Sequence, residues 1–284
     1  MVFDLIWLSS QFPQLTSIAP LDSGGQKSVF KAVHQINGDV VLKIFHPQSD
    51  VERVRREILA VQEIQSSRTP QIIEVGVINL PTGPLIWLIE SFVNAPSLRN
   101  ILARQRPSDR EILILGRDLL QALDGAEQAQ IVHRDVKPDN ILFDINNGGA
   151  WLLDFGLSRH LRLTSVTPSG NLLGACTPGY GPPEQFRNKK GEIDGRADLF
   201  AVGVTLFECV EGVNPFVQGA RDQLEMLRRV ETTQLPALSR NIEQTGDFTQ
   251  LVLSMTRIRR DHRPRTVRDA LDWILDVCNR NGIS

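Results

Sequence analysis

The spacing of apolar residues changes part-way along this chain. Between Leu15 and about Ile89 they fall in short runs, SVFKAVHQ, DVVLKIF and PLIWLIE, rich in β-branched and aromatic side chains and bounded by Gly, Pro, Asn and Asp. Such runs predict strands. Ile36-Asn37-Gly38-Asp39 predicts a two-strand turn, because Asn-Gly tolerates positive φ. One helix interrupts the strands: VERVRREILAVQEI, Val51 to Ile64, places Val51, Val54, Ile58, Val61 and Ile64 at helical spacing, with Ser49 or Asp50 as its cap.

After Pro96 the pattern turns helical. Arg110 to Ala129 and Ala197 to Glu211 are long and apolar, and Leu224 to Val230, Phe248 to Met255 and Val267 to Val277 follow. Two short strands, near Ile141-Leu142-Phe143 and Trp151-Leu152-Leu153, stand between the first two long helices. A small β-rich part followed by a larger helical part predicts an α+β protein with a cleft between two lobes.

The 284 residues carry 41% hydrophobic and 23% charged side chains, ordinary for a globular protein, with a formal net charge of -2. That balance gives no reason to expect a nucleic-acid partner. Cys176, Cys209 and Cys278 are scattered and odd in number, which fits neither a disulfide framework nor a zinc site and points to a reduced, cytoplasmic setting. The apolar N-terminus lacks a basic start and a small-residue cleavage site, so no signal peptide is expected. No run reaches the ~18 apolar residues of a spanning helix, and Leu199 to Val210 reads as a buried core helix.

Chemistry concentrates in His133-Arg134-Asp135-Val136-Lys137-Pro138-Asp139-Asn140. Asp154-Phe155-Gly156 starts fourteen residues beyond Asn140, and Pro182-Pro183-Glu184 ends thirty residues beyond Asp154. Upstream, Lys43 sits among apolar neighbours in VVLKIF, and Glu57 lies on the helix after it. This order resembles the eukaryotic-like (Hanks-type) serine/threonine protein kinases, in particular bacterial stand-alone members, and the likeness runs from about Leu15 to Val277. Each piece alone is a weak signal; five in the right order are hard to obtain by chance.

The resemblance implies one bilobal kinase domain over 1–284: an extension over 1–14, a β-rich lobe over 15–92 with one main helix, and a helical lobe over 93–284. It implies ATP and Mg2+ as cofactors and a protein hydroxyl as acceptor. Phosphoryl transfer asks for positioning and charge neutralisation. Asp135 is then the base that orients the attacking hydroxyl, and Asn140 and Asp154 are the metal ligands. Lys137 neutralises the moving phosphate, and a lysine there is the serine/threonine pattern. Lys43 reaches the α- and β-phosphates, with Glu57 holding it. Thr177 bonds Asp135 and Lys137 and helps select the acceptor.

The nucleotide loop departs from the family pattern. Leu21, Ser23, Gly24, Gly25, Lys27 and Val29 are the implied contacts, but Asp22 replaces the first glycine and Lys27 the third. Lys27 would offset the charge of Asp22. In the adenine pocket, Ile89 is the expected gatekeeper, the backbone of Glu90 and Phe92 the expected hinge contacts, and Val29, Val41 and Leu142 the walls. Asp198 resembles the aspartate that ties down the catalytic loop. Glu184 and Arg263 resemble a structural ion pair, and Val61, His133 and Phe155 part of a hydrophobic spine. Asp139 weakly suggests a basic residue in the acceptor peptide.

Between Asp154 and Glu184, the hydroxyls Thr164, Ser165 and Thr167 are candidate autophosphorylation sites, with Arg134 as a phosphate partner. Two other readings remain open: a kinase-fold scaffold without activity, suggested by the degenerate loop, and a small-molecule phosphotransferase. The acceptor protein, activating signal and oligomeric state are not encoded legibly.

Overall fold

The computed structural model describes residues 3–23, 27–46, 58, 61–81, 83–155, 159–160 and 177–283, with backbone only at 23, 159 and 160. Five strands form one antiparallel sheet: β1 (Leu15–Ser23), β2 (Lys27–His34), β3 (Gly38–Phe45), β4 (Ile72–Leu80) and β5 (Gly83–Ser91), in the order β1-β2-β3-β5-β4. The β2–β3 connection is three residues long, 35–37. His34 pairs with Gly38, and Gly38 takes the positive φ of 68° that closes such a loop. His34 caps it, its Nδ1 accepting from the Ile36 and Asn37 backbone N–H groups.

Register decides which side chains share a face. Val29 pairs with Lys43 and Lys43 with Leu88; Lys31 pairs with Val41 and Val41 with Glu90. These residues therefore look one way. Phe30, Ala32, Val40, Leu42, Ile44, Leu85 and Ile89 look the other way, into a core closed by Leu8 and Phe12. Those two come from α1 (Leu5–Gln11) and its C-terminal flank, and Asp4 caps this helix through the Ile6 N–H. The stretch expected as an extension is thus a lid on the sheet, with Phe12 meeting Trp87 edge-on. The helix expected over Val51 to Ile64 lies largely outside the described residues; Ile58, within it, is buried with Ile86 and Leu88 on the Lys43 face.

The C-terminal part is mostly helical: α2 (Leu98–Leu102), α3 (Asp109–Gln128), α4 (Pro183–Phe186), α5 (Gly195–Glu211), α6 (Gln223–Thr232), α7 (Asp247–Met255) and α8 (Val267–Arg280). Ser108 and Glu111 form a capping box that starts α3, and Thr266 with Asp269 does the same for α8. α5 is buried nearly all round, as its continuous apolar run predicts, and ends on Gly212 with a φ of 78°. Two small ribbons complete this part: β7 (Ile141–Asp144) pairs with β8 (Gly149–Leu152), and β6 (Ile131–Val132) with β9 (Arg159–His160). Cα packing divides the chain into two compact units, Met1–Gln62 with Pro70–Asn94, and Glu63–Thr69 with Ala95–Ser284. No described helix is long and apolar enough to cross a membrane.

Candidate active site

The first unit supplies a buried lysine. Lys43 is only 8% exposed, in the middle of the sheet. A buried ammonium needs a charged partner, and the Glu90 carboxylate, also 8% exposed, provides one at 2.5 Å. Val29 and Val41 are buried on the same face. The gatekeeper expectation is corrected here: Ile89 points to the opposite face, into the core with Leu42 and Phe12. Glu90 holds the position facing Val41, one residue later than expected. The Phe92 N–H expected to meet adenine donates instead to the Asp39 carbonyl at 3.2 Å. Leu21 is exposed on β1 and Lys27 half-exposed at the start of β2. Ser23 ends β1, while Gly24, Gly25 and Glu57 lie outside the described residues.

The second unit holds a tight polar cluster on the loop after β6. Thr177 Oγ1 donates to Asp135 Oδ1 at 2.6 Å. Lys137 Nζ lies 2.7 Å from Thr177 Oγ1 and 2.8 Å from Asp135 Oδ2. Asn140 Nδ2 donates to the Asp135 carbonyl at 2.8 Å and to Asp135 Oδ2 at 3.0 Å. Four residues expected to act together are therefore joined through one carboxylate. Because its amide nitrogen is spent on Asp135, Asn140 turns Oδ1 the other way. That oxygen and the Asp154 carboxylate are hard donors suited to a divalent cation. Asp154 adopts the left-handed backbone (φ 61°), uncommon for a residue with a side chain. The Leu153 N–H before it donates to the Asn140 carbonyl at 2.8 Å, tying the two candidate ligands to one backbone bridge.

Deeper residues hold this loop in shape. Asp198 accepts from the backbone N–H groups of His133 and Arg134, both at 2.7 Å. Burial pushes the Asp198 carboxyl up to about 7, against the pull of these two donors. His133 Nδ1 accepts from the Asp135 N–H at 3.2 Å, so Nε2 carries the proton and donates to the Leu153 carbonyl at 2.8 Å. Burial lowers its pKa and keeps the ring neutral. His133 also packs edge-on against Phe155, ring centroids 4.4 Å apart. Val61, the third expected spine residue, is half-buried in the first unit. Gln185 Nε2 donates to the Arg134 carbonyl at 2.6 Å, a support that sequence reasoning missed.

Glu184 and Arg263 form the expected buried ion pair, with contacts of 2.6 and 3.1 Å. Arg263 also donates to the Arg257, Arg196 and Ile258 carbonyls. A second cluster had no sequence signal. Arg99 bridges Glu208 and Tyr180, both at 2.7 Å, and also contacts Asp139 at 3.3 Å. Asp139, the residue expected to meet a basic acceptor side chain, thus has a cationic neighbour within this chain. Leu142 lies half-buried on β7, opposite Trp151. Thr164, Ser165 and Thr167 lie outside the described residues.

Comparison with known proteins agrees with this arrangement. The family model described as "Protein kinase domain" matches residues 16–276. Serine/threonine-protein kinase PknB of Mycolicibacterium smegmatis is 29% identical over 258 residues, covering 88% of this chain and 40% of that protein. Serine/threonine-protein kinase PknL of Mycobacterium tuberculosis is 31% identical over 205 residues, 70% of this chain and 49% of that protein. A Bifidobacterium longum protein named probable serine/threonine-protein kinase pknA2 is 32% identical over 203 residues, 68% of this chain and 26% of that protein. The chain therefore spans less than half the length of these curated relatives. With the family model covering nearly all of it and the β-sheet unit followed by a helical one, the chain belongs to the protein kinase family.

Proposed function

We propose that this chain transfers the terminal phosphoryl group of ATP to serine or threonine hydroxyls on proteins. The observation that carries the proposal is the Asp135 carboxylate, held by Thr177, Lys137 and Asn140 within 2.6–3.0 Å. A carboxylate fixed this way can accept the proton of an incoming hydroxyl and aim its oxygen at phosphorus. Lys137 beside it offsets the charge that develops on the phosphoryl oxygens. Lys43 is the cation for the remaining phosphates.

The family uses ATP with a divalent metal. Asn140 and Asp154 are the residues that would hold it, and the bound ion would neutralise phosphate charge. With Glu90 facing Val41, the backbone groups that meet adenine move one residue along, to Ser91 and Val93. The presence of Thr177 and of the Glu184–Arg263 pair favours a protein acceptor over a small molecule. Free, buried Cys209 and Cys278 support a reducing, cytoplasmic setting. Autophosphorylation at Thr164, Ser165 or Thr167 is part of the same proposal, and mass spectrometry after incubation with ATP reads it directly.

The test is radiolabel transfer from γ-labelled ATP to a generic basic protein and to the chain itself, comparing wild type with Asp135→Asn. Loss of a general base typically costs ~10²–10⁴ in rate. Equal incorporation by the two proteins, or none by wild type, would favour the scaffold reading.

A further inference from the structure

We propose that Glu90 is a positioning residue for Lys43, holding the lysine from within the sheet and thereby setting ATP affinity. The inference rests on the phosphotransferase reading above but concerns a residue that reading does not require. Lys43 pairs across the sheet with Leu88, and Glu90 lies two residues further along the same strand on the same face. Diagonal neighbours of this kind are ~7–8 Å apart at the backbone, within reach of two long side chains. The two meet at 2.5 Å, with side chains 10% and 11% exposed.

A carboxylate buried between Ile89 and Ser91 in a strand of Leu, Ile and Trp is costly unless a cation compensates it. Lys43 is its partner among the described residues. The anchor is also rigid, since β3 and β5 are hydrogen-bonded neighbours along five consecutive residue pairs. A lysine held from the neighbouring strand is held without any contribution from Glu57. The same carboxylate narrows that face beside Val41, where an apolar side chain would leave it neutral.

The experiment is a double-mutant cycle on Lys43→Met and Glu90→Gln, read by Mg-ATP binding, by the separate KM and kcat for ATP, and by thermal melting. In the wild-type background, Glu90→Gln is expected to weaken ATP binding roughly 10- to 100-fold, as loss of a charge-assisted contact does. In the Lys43→Met background it is expected to change ATP binding little. Melting should show a reversal of sign: Glu90→Gln lowers the midpoint of wild type and raises that of Lys43→Met, where it removes a stranded buried carboxylate. Glu90→Met, of similar length and without an acceptor, should repeat the pattern if Glu90→Gln does not fold. Equal effects of the Glu90 substitutions in both backgrounds, or none in either, overturn the proposal. A wild type that transfers no phosphate would instead count against the kinase reading, while the melting cycle would still report the pairing.

Discussion

Thr177 donates a 2.6 Å hydrogen bond to Asp135, a residue 42 positions earlier in the chain. The contact joins two residues that lie outside helices and strands, and Lys137 closes the triangle at 2.7 Å from the same hydroxyl. The Thr177 hydroxyl therefore fixes both groups assigned to the reacting centre.

Thr177→Val keeps the shape and removes that hydroxyl. A hydrogen bond to a charged group contributes ~1.5–3 kcal/mol, so phosphoryl transfer should fall roughly 10- to 100-fold. Steady-state kinetics should place the loss mainly in kcat, with KM for ATP nearly unchanged, because Thr177 touches Asp135 and Lys137 rather than Lys43. Thr177→Ser should retain most of the activity.

The Glu184 and Arg263 side chains are 5% and 0% exposed. Removing one partner strands the other charge, and Glu184→Ala should destabilise the chain by ~3–5 kcal/mol. Chemical denaturation would show this as a lower midpoint. A change below ~1 kcal/mol would mean that Arg263 is satisfied by its three backbone carbonyls alone.

The neutral His133 ring makes a pH prediction. Unfolded histidine takes up its proton near pH ~6.5, whereas burial makes the folded ring do so at lower pH. Between those points the unfolded chain binds more protons. The stability carried by the neutral ring is therefore whole above pH ~6.5 and is lost as pH falls through that value towards the folded pKa. Asp198 works in the opposite sense. Its folded pKa of about 7 gives a contribution present at low pH and lost as pH rises through about 7. An NMR titration of the imidazole separates the two, and His133 should remain neutral, with the proton on Nε2, well below pH ~6.5.

Cys209 and Cys278 are fully buried, and burial pushes both thiols up, Cys278 to about 11. The thiolate is the reactive form. Peptide mapping after alkylation at neutral pH should find both unmodified in the folded protein and both modified in denaturant. Native-state labelling of either would mean that α5 or α8 opens locally.

The longer helices were legible from their apolar residues, and the Ser108–Glu111 and Thr266–Asp269 capping boxes agree with two of them, whereas the short α1, α2 and α4 were not foreseen. β4 was less so. Gly76 interrupts its pattern, and the reason lies on another strand: the Trp87 indole lies across it and leaves no room for a Cβ. β5 was found as a strand but its facing was misread. It is buried on both sides, so alternation offers no polar row to fix which residue looks where. Only pairing with β3 shows that Glu90, rather than Ile89, shares a face with Lys43. The contacts of Thr177 with Asp135 and Lys137 were expected from the sequence, whereas the Asn140 bonds to Asp135, Gln185 and the Arg99–Glu208–Tyr180 contacts were not.

The lid formed by α1 has a practical corollary. Leu8 and Phe12 seal Phe30, Leu42, Ile44 and Ile89 from solvent. A shortened version beginning at Leu15, where the sheet starts, would keep every residue assigned to phosphate chemistry and yet present a sticky apolar wall. Such a version should self-associate in solution, and a sluggish preparation of it would speak of a missing cover rather than of a defective enzyme.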